Sequence, residues 1–576
     1  MLLWHSGWRH MASLLALPFC TIAFSQEKTP FICQIGRYGD FSYGMYLFAF
    51  PVQQMIVFLF SETLNFYAIL ALSFIITVGL SYLSWHLIEK PFLRMKPRKK
   101  ESTFTYLNRT MGPIIKLLIP MSLSNQESSP APVSSSEKII FLKIFSSIAL
   151  IYIAYIFIYW PGILGQDGLA LILEAEGVQK SGKTPAWILF FNILYKPWRL
   201  VEVPIIIQLI ICAILLSRIL SWLHANNLYK SFWFCLVFIA IAPHLVFYNA
   251  SLYSDGIYAC ALSSLLFEIW LTSKNKILTK HSFFILTLSA PFAIFGRPNG
   301  IINLIPLVAI IFLLGHKKEK IAIAGLIALC LAITFGASRH YKPHSIGSLF
   351  PMAIWETVNF LQPSVMNVHP PHVSELTIKT LEERKPIPDI IKYYDRDYWD
   401  PLYFFPTGPI VGALSKESQD TIIKEFYRYN LWVNLPRFIS SRVHVFLVAA
   451  FAHGGFPGPT YAKHILEQTQ SQSVYRLWNL TTLETLLTKI HDFNFKYRSL
   501  LWSPFLGIFL VLVTFYMSIK HKNIPSLIVS GTLFLQLLAI FFFSIAGEYR
   551  YLMSFFTAPL VMLPVFADFK KQPHQS

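Results

Sequence analysis

The sequence predicts an all-α polytopic membrane protein of about 13 transmembrane helices with a mostly helical extramembrane region. Three observations carry that expectation. The 576 residues are 54% hydrophobic and only 14% charged, whereas a soluble domain carries about 25% charged residues. Apolar runs long enough to cross a bilayer, about 17–25 residues each, recur along nearly the whole chain. The net charge of +18 comes from Lys and Arg in short clusters between those runs, the pattern of cytoplasmic loops. That placement excludes nucleic acid as the reason for the charge and makes membrane lipids the expected surroundings.

Taken in order, the first block offers spans near 11–25, 41–60 and 64–84. The basic run Lys90, Arg94, Lys96, Arg98, Lys99, Lys100 follows and is expected in the cytoplasm. Met121 to Lys138 is Ser- and Pro-rich without apolar period, so 97–138 is a linker between 1–96 and the rest. A transmembrane core at 139–337 holds seven spans, near 139–160, 203–223, 231–250, 256–272, 282–296, 300–315 and 321–337. The stretch 338–498 is far more polar and is expected as a folded region outside the membrane, and 499–576 adds spans near 500–518, 524–545 and 552–567 before a short tail. With 86–138 inside, the loops 218–230, 274–280, 317–320 and 520–522 and the 570–571 tail are all cytoplasmic. The 160–203 loop, the 249–255 turn, Arg297 and 338–498 then face outward. The first block begins outside with an odd number of spans, as a segment cut from a larger one would. Cys20, Cys33, Cys212, Cys235, Cys260 and Cys330 form no CxxC pair and mostly sit inside apolar runs, so they read as small buried hydrophobes.

Residues 36–96 contain SYGMYLF, FPVQQ and a W-x-x-IEKPF-x-R ending. Together these resemble the carboxyl end of the acyltransferase 3 family of membrane O-acyltransferases. The resemblance covers about the last three of the roughly ten spans of that family, whose transfer chemistry uses an arginine and a histidine in the other half. Many members have His where Ala49 stands. Acyl transfer to a hydroxyl needs a base within hydrogen-bond reach, and this block has only His5, His10 and His86. His86 abuts the basic run, where it snorkels to the interface. Residues 1–96 are therefore expected to be a catalytically empty piece.

Residues 139–567 carry WPGILGQDG, YSDG, GRPNGIINLIP and GEYRYLMSFFTAPL in that order. These resemble bacterial membrane glycosyltransferases of the GT-C class. The resemblance implies an inverting transfer from a polyprenyl-phosphate sugar donor to a polysaccharide or lipid acceptor at the outer face of the bacterial inner membrane.

The residues speak without the family as well. Asp167 follows the first span of this block, and Glu174 lies seven residues on, so both carboxylates share a helical face. A carboxylate there can deprotonate an acceptor or hold a divalent ion, with Asp167 the candidate ligand. The plainer reading makes Asp167 the N-cap of a helix over 168–176, with Gly177 at its other end. Asp255 in Tyr253-Ser254-Asp255-Gly256 offers the same choice between a cap and a second catalytic carboxylate. Positive-inside bias does not account for Arg297, Arg339, Lys342 or Arg550 on the outward side. An arginine near the bilayer needs a partner, and a phosphate leaving group needs a planar, permanent cation. Arg297 with Asn299, Arg339, and Arg550 with Glu548 are the candidate donor-binding residues; Lys342 and His344 are weaker ones. A salt bridge with Glu548 or a lipid headgroup is the rival account of the arginines.

His369-Pro-Pro-His372 cannot share a helical face and makes no metal site. Asp395, Asp397 and Asp400 around Tyr398 and Trp399 form an acidic, aromatic patch suited to sugar or, more commonly, to a solvated loop. Tyr427, Tyr429, Trp432 and Phe438 suit a sugar or the membrane interface. No nucleotide or serine-hydrolase motif stands in a fitting context. Two further readings compete with glycosyl transfer: O-acylation of surface polysaccharide by the first block, and a transporter or flippase, which would place its charges nearer the bilayer midplane.

Overall fold

The structure, a computed structural model, describes residues 45–46, 49, 52–53, 56, 66–85, 135–341, 349–363, 373–458 and 460–571. The expected span 11–25, most of 41–60, the basic run after it and nearly all of the linker lie outside the described residues, as do Lys342, His344, His369 and His372. The chain divides into two units, 1–112 and 113–576. In the first, α1 (Phe66–Ser84) is an apolar helix. Ser73 and Ser81 donate their hydroxyls to the carbonyls of Ile69 and Thr77 one turn back, at 2.7 and 2.6 Å. An apolar helix thereby satisfies its polar groups within itself.

The second unit is all-helical among its described residues, as alternating apolar runs and Lys-rich turns dictate. Long apolar helices are α2 (Ser135–Ile158), α5 (Glu202–Ala225), α6 (Ser254–Asn275) and α9 (Lys317–Tyr341). Towards the carboxyl end come α14 (Phe505–Lys520), α15 (Ile524–Phe543) and α16 (Pro559–Lys571). Shorter helices join them: α3 (Gln166–Ala175), α4 (Pro185–Tyr195), α7 (Lys280–Phe295) and α8 (Leu304–Leu313). Among the described residues seven helices are long and apolar enough to cross a membrane, or eight if the bent pair Tyr229–Ala240 and Pro243–Asn249 is one span. The chain is thus a multi-pass membrane protein, and the described residues do not supply all 13 of the expected spans. The expected spans 282–296 and 300–315 account for two of the missing ones. They are short apolar helices, Lys280–Phe295 and Pro298–Leu313. Proline, asparagine and glycine in Arg297-Pro298-Asn299-Gly300 break the run, and the chain passes through a 3-10 turn over Pro298–Asn303.

α6 is the axis of the unit. It packs against α5, α7, α8 and α15 and is buried along nearly its whole length. Its composition explains this: Gly256, Ala259, Ala261 and four serines let neighbours approach closely, and Ser263 bonds Thr557 at 2.9 Å. The end of α6 carrying Lys274 is tied by ion pairs to Asp568 at 2.5 Å, and Glu268 to Arg218 at 2.7 Å. Its other end carries Asp255. Cys212, Cys235, Cys260 and Cys330 are free and buried.

The polar stretch folds as a separate cluster of helices. α10 (Leu349–Leu361), a short α11 (Asp400–Tyr403), the helix Lys416–Glu425 and α12 (Leu435–Ala450) surround a core of Trp355, Leu381, Ile422, Phe426 and Val445. Inside it, fully buried Arg442 pairs with Glu356 and lies 5.1 Å from the Trp355 ring. Arg442 also donates to the carbonyl of Ser544 at 2.5 Å, just past α15. Residues 397–398 pair with the same segment: Gly547 N–H donates to Asp397 O at 2.7 Å beside an isolated bridge between Tyr398 and Ala546. The cluster is anchored on the chain that leads into Glu548 and Arg550. α13 (Thr481–Lys496) then runs into α14.

Candidate anion-binding site

Four loops meet at one end of the helical unit: the one after α2, the start of α6, the 296–300 break between α7 and α8, and the 544–551 segment after α15. Each is where an apolar run ends and backbone groups need new partners. Gly300 allows the break to fold back on α7, since a Cβ there would lie 2.5 Å from the carbonyl of Ile294. Gln536 of α15 then secures it. Asn299 donates to the Gln536 side-chain oxygen at 2.7 Å, and the Gln536 amide donates to Asn299 O at 3.1 Å and to Asn303 at 3.2 Å. Gly165 does the same service for the first loop: a Cβ there would meet the Tyr253 hydroxyl at 2.6 Å.

The loops enclose a cavity of about 270 Å³ lined by Asp167, Lys183, Asp255, Arg297, Asn299 and Arg550, with Ile540 and Phe543 of α15 as an apolar wall. Lys183 and Arg550 both donate to the same Oδ2 atom of Asp167. Arg550 donates its Nε–H to Glu548 at 2.5 Å. Arg297 pairs with Asp255 and donates to the carbonyl of Arg550 at 3.1 Å. The Tyr551 ring faces both guanidinium groups, 5.0 Å from Arg297 and 5.5 Å from Arg550. Tyr258 and Tyr253 complete the aromatic walls. Planar cations stacked on rings keep their donors aimed without occupying them all.

Electrostatics follow from this packing. Burial alone pushes the Asp167 carboxyl up, but Arg550 and Lys183 outweigh it and hold the group far below the usual carboxylate range. Burial, helped by Arg550 and opposed by Asp167, lowers Lys183. Burial brings Arg297 down to about 10, which leaves it charged at neutral pH. The site thus sets three basic side chains, Lys183, Arg297 and Arg550, against three acids, Asp167, Asp255 and Glu548.

Of the residues singled out in the sequence, Asp167, Asp255, Arg297, Asn299 and Arg550 line one cavity, and Glu548 adjoins it through Arg550. Neither aspartate caps a helix: α3 and α6 have Gly165 and Tyr253 at their N-caps, without a side-chain cap bond. Glu174 turns elsewhere. Its carboxylate accepts from the Ser181 backbone at 2.9 Å and from the Ser181 hydroxyl, shaping the turn that delivers Lys183. Arg339 is exposed on the last turn of α9, stacked on Phe335, and does not line the cavity. Lys183 was missed, although the outward parity of the 160–203 loop that flagged Arg297 applies to it equally. Gln536, a lone amide within an apolar span, was a second available signal.

The acidic patch divides by residue. Asp395 caps its own loop by accepting from the backbone of Asp397 and Tyr398, and Asp397 pairs with His444 at 2.6 Å. Asp400 has no such partner among the described residues. Burial first, and then Glu548, push its carboxyl up to about 6. Phe438 belongs to the core of the polar cluster, while Tyr429 and Trp432 are exposed. The donor set does not fit a divalent ion. Among the described residues no group of three or more His, Cys, Asp or Glu is placed to hold a metal, and two cations already share the Asp167 oxygen.

An O-acetyl transferase of Shigella phage Sf6 is 40% identical to this chain over 91 residues, 15% of the chain and 26% of that protein. The chain thus spans about a quarter of the length of the relative it matches. No family model matches the chain. No solved structure matches it either. The similarity supports the acyltransferase resemblance in part, and none of these comparisons supports the glycosyltransferase class.

Proposed function

We propose that the chain is a multi-pass glycosyltransferase of the bacterial inner membrane, moving a sugar from a polyprenyl-phosphate donor to a hydroxyl of an envelope polysaccharide or lipid at the outer face. One observation carries this reading: an acid and three cations from three distant stretches surround a single cavity whose remaining wall is a membrane helix. Phosphate is the leaving group that such a set suits. Asp167 takes the proton of the acceptor hydroxyl, the acceptor oxygen bonds to the anomeric carbon, and the bond from that carbon to the phosphate oxygen breaks. The electron pair leaves with the phosphate, where Arg297, Arg550 and Lys183 stabilise it. The neighbouring helical cluster at 338–498 holds the acceptor.

Replacing Arg297 by Ala removes a preorganised donor at the leaving oxygen and is expected to lower transfer by roughly 10²–10³-fold while leaving expression intact. The check is release of polyprenyl phosphate from labelled donor in isolated membranes; normal transfer by Arg297→Ala removes this residue from the site.

A second reading rests on the phage relative. Its name is O-acetyl transferase, and by that likeness the chain would acylate surface polysaccharide through its first block.

A further inference from the structure

The cavity that the proposed function makes a phosphate seat is electrically balanced. Lys183, Arg297 and Arg550 face Asp167, Asp255 and Glu548, so their formal charges cancel. An incoming anion gains no net attraction from such a set. It gains only by taking cations from a carboxylate that already holds them.

The three carboxylates differ in how replaceable they are. Asp255 lies in the first turn of the buried axial helix, 5% exposed. Its partner Arg297 is further fixed by the Arg550 carbonyl and by the Tyr258 and Tyr551 rings. Glu548 is packed against Gly455. Asp167 stands on the short α3, and its side chain is 22% exposed. Among the described residues its carboxylate has no hydrogen bond besides those from Lys183 and Arg550. Both reach one oxygen atom, as two donors would converge on one phosphate oxygen. Lys183 arrives on the turn between Gly177 and Gly182, two glycines with positive φ of 78° and 68°, shaped by Glu174. Asp167 is the carboxylate that can let go.

We infer that Asp167 is a tethered stand-in for the substrate's phosphate: its carboxylate fills the anion seat made by Lys183 and Arg550, and a lipid phosphate binds by displacing it. Displacement has a chemical consequence. A carboxylate relieved of two cations regains affinity for a proton, so the arrival of the donor converts Asp167 from an ion-pair partner into a base. The acceptor proton then passes to Asp167 only when the leaving phosphate is seated. Hydrolysis by stray water is suppressed until that moment. Lys183 is the positioning residue for this exchange, and Glu174 supports it from behind.

The inference rests on the phosphate reading of the cavity, and one experiment separates the two. The full chain, purified in detergent, is titrated calorimetrically with geranyl phosphate, a short prenyl phosphate. Asp167→Asn keeps the shape of the side chain but not the competing charge, so it is expected to bind tighter than the unaltered chain by on the order of tenfold. Lys183→Met is expected to bind more weakly, and the double variant to fall between them. In membranes, Asp167→Asn combines this tighter binding with slower turnover, which a merely structural role does not produce. Binding by Asp167→Asn that equals or falls below that of the unaltered chain overturns the stand-in role. Absence of binding in every form, with unchanged thermal unfolding, overturns the phosphate reading itself and this inference with it.

Discussion

Asp400 gives the site its pH-sensitive stability. It is a half-buried acid without a hydrogen-bond or ion-pair partner among the described residues, and its carboxyl is pushed from 3.8 to about 6 by burial and then by Glu548. A carboxyl raised in the folded state binds its proton more tightly there than in the unfolded chain. Its favourable contribution is complete below about pH 3.8 and is lost as pH rises through about 6. Asp400→Asn removes that loss. The variant is expected to be more stable by about 2 kcal/mol at pH 7.5, after allowance for the part facing solvent, and to converge with the unaltered chain near pH 4. Thermal unfolding in detergent at the two pH values is the check; equal melting at pH 7.5 would show the acid to be solvated. The residues legible in the sequence were those out of place for their type. Arg297 and Arg550 stood on the side where basic residues are not expected, and Asp167 stood at a span end among glycines. Lys183 carried the same outward-side signal within a long loop, and the fold of the turn behind it reveals its use. Glu174 was misread because sharing a helical face with Asp167 does not decide which loop folds over that face.

The elements show where apolar length is a reliable guide. Runs uninterrupted by glycine, proline or asparagine became helices whose ends lie close to those read from the sequence, such as Ser135–Ile158 for 139–160. The runs on either side of Arg297 became the shorter apolar helices Lys280–Phe295 and Pro298–Leu313, and the break between them is held by Gln536 of a helix more than two hundred residues away. Local propensity holds no information about such a partner. α13 presents the converse case, an amphipathic helix that length alone would pass over. Thr488 and His491 face inward, the first 3.0 Å from the Tyr159 hydroxyl and the second stacked at 4.1 Å on Phe247. The opposite stripe of Leu483, Leu486, Ile490, Phe493 and Tyr497 is exposed and continues into Leu500 at the start of a span. Trp478, stacked on Phe157 of α2 at 5.3 Å, marks the same level. An apolar stripe flanked by Lys489 and Lys496 is the pattern of a helix lying in a membrane interface, and we propose that setting for α13. Spin labels at positions 486, 490 and 493 in lipid nanodiscs are then expected to collide with oxygen more than with a water-soluble nickel complex, and a label at Asp492 to show the reverse. Equal nickel accessibility at all four positions would place the helix in water.

At the scale of the whole molecule, the polar cluster and the cavity are mechanically one object. Arg442 sits inside the cluster, paired to Glu356, and holds the carbonyl of Ser544 on the cavity wall. Six residues later the same segment presents Arg550. A buried ion pair and a short covalent path thus link the cluster to the cation that holds Asp167. All of this machinery lies within residues 113–576, a unit with its own core. Among the described residues, those lining the cavity all belong to this unit. The two functional readings part at this point. If the second unit transfers a sugar, a chain lacking residues 1–96 retains every group that binds the phosphate, and its transfer from labelled polyprenyl-phosphate donor is expected to stay within about twofold of the full chain once expression is matched. If the first block acylates a polysaccharide, that deletion abolishes acyl incorporation and Arg297→Ala leaves it untouched. Measuring both activities on both variants assigns the chemistry to one unit, because each reading requires the opposite variant to fail.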